Sequence, residues 1–158
     1  MLQGVEIREM KESEYPLLAD FLYLAIFQKE GEPPLRRDII EEPEIARYIE
    51  DFGKPHDYAL VAVHQEQVVG VVFVRLIHAY GYVDEATPEL TISVLKDYRK
   101  KGIGSALLEG MVKLLREHDC EKISLSVQKE NPAFQLYQNL GFAIVEDKGE
   151  DVVMLFLL

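Results

Sequence analysis

The chain has 158 residues, 48% of them hydrophobic, and a formal net charge of -11 from 17 Lys and Arg against 28 Asp and Glu. That is the size and apolar content of one globular domain, residues 1–158, and the acidic balance excludes a general nucleic-acid binder, which needs a broad basic face, while suiting a cationic acceptor. The longest apolar runs, 68–74 and 152–158, are too short to cross a bilayer, and residues 1–10 lack the basic flank and hydrophobic run of a secretory signal, so no membrane partner and a cytoplasmic location are expected.

Val5 to Met10 alternates apolar and polar residues as a strand does, and Ser13 then stands as a helix N-cap before the apolar-periodic run from Tyr15 to Phe27, with Pro16 in its first turn. Lys29 to Arg37 is a loop by its Gly and paired prolines, and Glu42 to Gly53 reads as a short helix closed by its Gly. Asp57–His64 and Val68–Ala79 are rich in β-branched residues and flank a polar "QEQ", which predicts a hairpin. Glu89–Leu95 alternates as a strand and feeds "DYRKKGIGS", after which a helix is expected from about Ile103 to Glu117. Lys122–Val127 alternates again, a helix starts near Asn131 and ends at Gly141, and "FAIVED" and "VVMLFLL" bracket the turn "KGE". The order is βααβββαβαββ, an α/β (α+β) pattern without repeat or linker.

Gly102 and Gly104 let the backbone turn with its N–H groups converging at a helix start, where amides and dipole together attract an anion. Read alone, the glycines equally serve a tight strand-to-helix connection, and Arg99, Lys100 and Lys101 a solvated basic run. A dinucleotide fingerprint would need a third Gly where Leu107 stands, and no Walker-type phosphate loop is present.

Arg99-Lys100-Lys101-Gly102-Ile103-Gly104 resembles the R/Q-x-x-G-x-G/A acyl-CoA signature of the GNAT N-acetyltransferase superfamily, and "SVQKENPAFQLYQNLGF" resembles its later block. The element order from residue 5 to 157 is similar as well. The resemblance implies a mixed, twisted sheet whose central strands splay in a V, with acetyl-CoA as cosubstrate and no metal. It implies strand-like pairing of the pantetheine arm with the backbone of Ile92, Ser93 and Val94, and pyrophosphate on the amides of Lys100, Lys101, Gly102, Ile103, Gly104 and Ser105, with Arg99 adding charge. The acetyl group would pass to a primary amine of a small molecule, peptide or protein by direct attack in a ternary complex. Glu89 matches the position of a general base, Tyr137 that of the acid that protonates the departing thiolate, and Asn131 that of a residue touching the CoA arm. The backbone N–H of Val94 would face the thioester oxygen.

Each site residue also has a plainer reading: Glu89 a strand-end carboxylate on a solvated face, Tyr137 a packed ring, Asn131 a helix N-cap. Relatives that draw their base from the following strand carry Glu where this chain has Ser126. The histidines at 56, 64, 78 and 118 lack metal-ligand spacing, and Cys120 reads as a small residue filling a helix-to-strand junction. Glu30, Glu32, Glu41 and Glu42 read first as surface charge. A homodimer through late strands or helices is implied by the resemblance, and a non-catalytic acyl-CoA sensor of the same fold is the alternative function.

Overall fold

The computed structural model describes residues 1–158. Seven strands form one sheet: β1 (Val5–Glu9), β2 (Tyr58–His64), β3 (Gln67–Arg75), β4 (Glu89–Val94), β5 (Lys122–Gln128), β6 (Ala143–Asp147) and β7 (Asp151–Leu157). Their spatial order is β1-β2-β3-β4-β5-β7-β6, with every pairing antiparallel except β4 with β5. The helices are α1 (Leu18–Ala25), α2 (Pro43–Ala46), α3 (Ile103–Glu117) and α4 (Ala133–Leu140). None is long and apolar enough to cross a membrane.

Helices cover both faces of the sheet, which is why β2 and β3 read as nearly continuous apolar runs. Leu60, Ala62, Val72 and Val74 pack with Leu107, Leu108 and Met111 of α3, while Val61, Val71 and Phe73 pack with Leu18 and Phe21 of α1. Gly110 lets α3 approach closely, since a Cβ there would lie 3.1 Å from Leu60 Cδ1. The β2–β3 turn is Gln65-Glu66, both at positive φ (50° and 65°), the type I′ geometry that matches strand twist even without glycine.

Two local expectations change. The first helix is capped at Lys11, not Ser13: the Lys11 N–H donates to Glu14 Oε1 (2.8 Å), and a 3-10 turn over Glu12–Leu17 precedes α1. Arg8 donates to both oxygens of the same Glu14 at 2.8 Å each, so a contact with β1 fixes the carboxylate that caps at Lys11. The predicted 42–53 helix shrinks to α2 followed by turns, because Arg75 takes the carbonyls of Arg47 (3.1 Å) and Glu50 (2.7 Å) out of the helical pattern.

The parallel pair β4–β5 holds register at one position, Glu89 opposite Ser124. The Ser124 N–H donates to Pro88 O at 3.0 Å, and beyond that point the two strands part. A V-shaped opening therefore lies in the middle of the sheet, with β1 to β4 on one arm and β5, β7 and β6 on the other.

Candidate active site

The free edge of β4 forms one wall of the opening. Leu95 N–H donates to Val69 O, so strand alternation directs the backbone of Ser93 toward β3 and that of Ile92 and Val94 into the splay. The three predicted positions thus divide: Ile92 and Val94 offer main-chain groups, while Ser93 sends its hydroxyl to Phe21 O (2.7 Å) and braces α1. Val94 O already accepts Arg99 Nε at 3.0 Å, leaving its N–H as the available group.

Residues 99–105 connect this edge to α3. Lys100 (φ 60°) and Gly102 (φ 82°) both lie in the left-handed region, which turns the chain sharply before Ile103. The first helical bond there runs from Ala106 N–H to Gly102 O (3.1 Å), so the preceding amides have no helical acceptor and lie at the positive end of the α3 dipole. Lys100 and Lys101 are exposed beside them. An ideal Cβ on Gly104 would meet only the tip of Leu136, at 3.5 Å, so α4 borders the same loop. An amide nest beside an open strand edge suits a pyrophosphate joined to a peptide-like arm.

On the other arm, Asn131 Oδ1 accepts the N–H of Ala133, the first residue of α4, at 2.9 Å, one position before the Pro132 that caps the helix. Tyr137 is 6% exposed and packs on Phe142, and burial pushes its phenol pKa up. Its hydroxyl makes no hydrogen bond to a protein group, and the phenol stays protonated.

Glu89 lies at the closed end of the V and is 2% exposed, which overturns the solvated-face reading. Its Oε2 accepts from Ala79 N–H (2.9 Å); its Oε1 accepts from Gly81 N–H (2.7 Å) and faces Tyr48 Oη (3.4 Å). Burial pushes its pKa up against the pull of these donors. The hydroxyl of Ser124, its register partner, is buried without a protein partner. Sequence reasoning missed Tyr48 and the loop 79–81, because only the fold brings them to Glu89; no local pattern marks them.

Further contacts bridge the two arms. Lys29 Nζ reaches Glu130 Oε2 at 3.0 Å, and Lys148 Nζ of the β6–β7 turn donates to Tyr80 O at 3.2 Å. The loop after α1 is itself tied down by Tyr23, whose hydroxyl donates to Leu35 O, and by Gln28, whose Oε1 accepts Leu35 N–H (2.8 Å). Glu30, Glu32, Glu41 and Glu42 are exposed.

A sheet opened at its parallel pair, with an amide nest at the helix that follows the opened strand, defines an acyl-CoA transferase fold. The chain belongs to the acetyltransferase (GNAT) family, whose model matches residues 18–142. It is 34% identical over 95 residues to an N-alpha-acetyltransferase of Saccharolobus solfataricus, a match covering 54% of this chain and 56% of that protein. It is 29% identical over 120 residues to N-alpha-acetyltransferase 30 of Xenopus laevis, covering 72% of this chain and 41% of the relative. The chain thus spans about half the length of the curated relatives it matches. Its fold is similar to that of a PaiA N-acetyltransferase of Thermoplasma acidophilum solved in complex with coenzyme A, with TM-score 0.70 and 20% identity, over 99% of this chain and 100% of that one.

Proposed function

We propose that the protein transfers the acetyl group of acetyl-CoA to a primary amine, and that the acceptor is the α-amine at the start of a polypeptide. The observation that carries the reaction is the pairing of an opened β4 edge with the amide nest at residues 100–105. The kinship with N-alpha-acetyltransferases at 34% and 35% identity supports the acceptor class. Main-chain groups of Ile92 hold the pantetheine arm with the Val94 N–H kept for the thioester, the amides from Lys100 to Ser105 hold the pyrophosphate, and Arg99, Lys100, Lys101 and Asn131 surround it.

An α-ammonium with a pKa of about 7.7–8.0 must lose a proton before it attacks, and a carboxylate whose own pKa is raised is a better base for that proton. In this reading Glu89 accepts the proton, directly or through water. The neutral nitrogen forms a bond to the thioester carbon, and the Val94 N–H faces the oxygen as charge gathers on it. As the C–S bond breaks, Tyr137 gives its proton to the departing thiolate. The nitrogen gives up its second proton to water as the adduct collapses, so the products are an amide and CoA thiol; Glu89 releases its proton to solvent and Tyr137 recovers one.

The deciding experiment offers acetyl-CoA with three acceptors: a peptide with a free N-terminus and no Lys, the same peptide N-terminally blocked but carrying Lys, and a polyamine. Thiol release and mass spectrometry follow the transfer. Acetylation of the first peptide at its α-nitrogen is expected. Transfer to the Lys peptide or the polyamine alone would reassign the acceptor, and tight acetyl-CoA binding with no transfer at all would favour the sensor.

A further inference from the structure

Three successive residues, Ala79, Tyr80 and Gly81, have every N–H committed at one point. Ala79 and Gly81 donate to the two oxygens of Glu89, and Tyr80 donates to Tyr48 Oη at 3.2 Å. Because the Tyr48 oxygen accepts that N–H, its own proton is the one available to Glu89 Oε1, 3.4 Å away. Tyr48 is therefore a donor to the carboxylate and an acceptor for the loop at once.

Tyr48 is in turn held from behind. Arg75, 3% exposed, donates Nε and Nη2 to Asp57 Oδ1 and Oδ2 at 3.1 and 3.0 Å, while its Nη1 donates to Arg47 O and Glu50 O, the carbonyls that flank Tyr48. Arg47 Nη1 donates to His78 O, tying the same turn to the loop. Gly81 packs so closely on β5 that a Cβ would fall 2.7 Å from Leu125 C and 2.9 Å from Ser126 N. The chain Asp57–Arg75–turn 47–50–Tyr48–Glu89 is continuous behind the opening, with Arg75, Glu89 and the Asp57 carboxylate buried and the turn half-buried.

We propose that Tyr48 is a positioning residue that orients the Glu89 carboxylate and locks the Ala79–Gly81 loop across the closed end of the V. The assignment of Glu89 as base rests on the function proposed above; the positioning by Tyr48 does not. With two donors on Oε1 and one on Oε2, the open lone pair belongs to Oε2, so this oxygen takes the acceptor's proton. The titratable or charged groups facing Glu89 are Tyr48 from the turn after α2 and His78 from the β3–β4 loop. Arg75, its cross-strand neighbour, is turned away onto Asp57.

The test is Tyr48→Phe, which keeps the ring and deletes both hydrogen bonds. In the protein alone, 13C NMR of labelled Glu carboxyls should show the Glu89 midpoint moving to higher pH by about half to one unit, since a donor to the ionised form is lost. Amide exchange at Tyr80 should accelerate about tenfold. With the peptide acceptor, the acid limb of kcat/KM should move upward by the same amount. An unmoved midpoint together with unchanged exchange at Tyr80 would overturn the role of Tyr48. A moved midpoint with a stationary acid limb would support it while removing Glu89 as the base, so the two failures are distinguishable.

Discussion

At the residue scale, several side chains of this protein carry a local and a tertiary role at once. Glu14 caps the first turn and chelates Arg8, and the guanidinium holds its carboxyl down at about 2. A depressed carboxylate stabilises the fold above its unfolded pKa of about 4.5, and that contribution is lost as pH falls toward 2. Glu14→Gln should therefore cost about 1–2 kcal/mol in urea melts at pH 7, and the gap to wild type should close at low pH; a constant gap would refute the ion pair as its source. Tyr137 gives the complementary test of chemistry. Tyr137→Phe removes the hydroxyl and almost no packing, so kcat should fall roughly a hundredfold while acetyl-CoA affinity, measured by calorimetry, is unchanged. Equal turnover would return Tyr137 to a packed ring.

At the element scale, the first turn of α3 and the loop before β4 define the two ends of the opening, and each depends on one glycine. Gly104 faces only the flexible end of Leu136, so the fold should accept Gly104→Glu while the new carboxylate repels the pyrophosphate. Thermal melts should stay near wild type and calorimetric binding of acetyl-CoA should be lost; retained affinity would displace the anion from this nest. Gly81 is the opposite case, because the atoms that a Cβ would strike are backbone of β5 and cannot swing aside. Gly81→Ala should destabilise the protein by about 1–3 kcal/mol and release the amide of Ala79 to exchange. Both glycines look alike in the sequence; what separates them is whether side chain or main chain lies opposite.

At the scale of the whole molecule, the cleft exists because one parallel pair separates after one register position, and the two arms are then rejoined over it by Lys29–Glu130 and by Lys148 on Tyr80 O. The far edge strand, β6, is exposed along its length and presents Ile144 and Val145 beside Glu146 and Asp147. Pairing of copies through this end is the expected origin of a homodimer, and light scattering at micromolar concentration should report twice the chain mass; a monomer would remove it. Much of this architecture was legible beforehand. Period-2 alternation marks Glu89–Leu95 and Lys122–Val127, and Asn131 and Gly141 frame α4. The turn into α3 was legible too, since left-handed turns and helix starts are set by neighbouring residues, whereas its reading as an anion site came from the resemblance to the acyl-CoA signature. Ser13 failed as a cap because the first turn already starts at Lys11, whose N–H Glu14 takes while paired with Arg8, and the 42–53 segment failed as a helix because Arg75, distant in the chain, claimed the carbonyls of Arg47 and Glu50. The sequence by itself determined the elements and their order, properties of short-range backbone preference and hydrophobic period, while the anion-binding reading of residues 100–105 came with the resemblance to the acyl-CoA signature. Only the tertiary structure decided where the sheet opens, that Glu89 is buried at that point, and that Tyr48 and Arg75 stand behind it, because side chains up to 41 positions apart meet there only after the strands have paired.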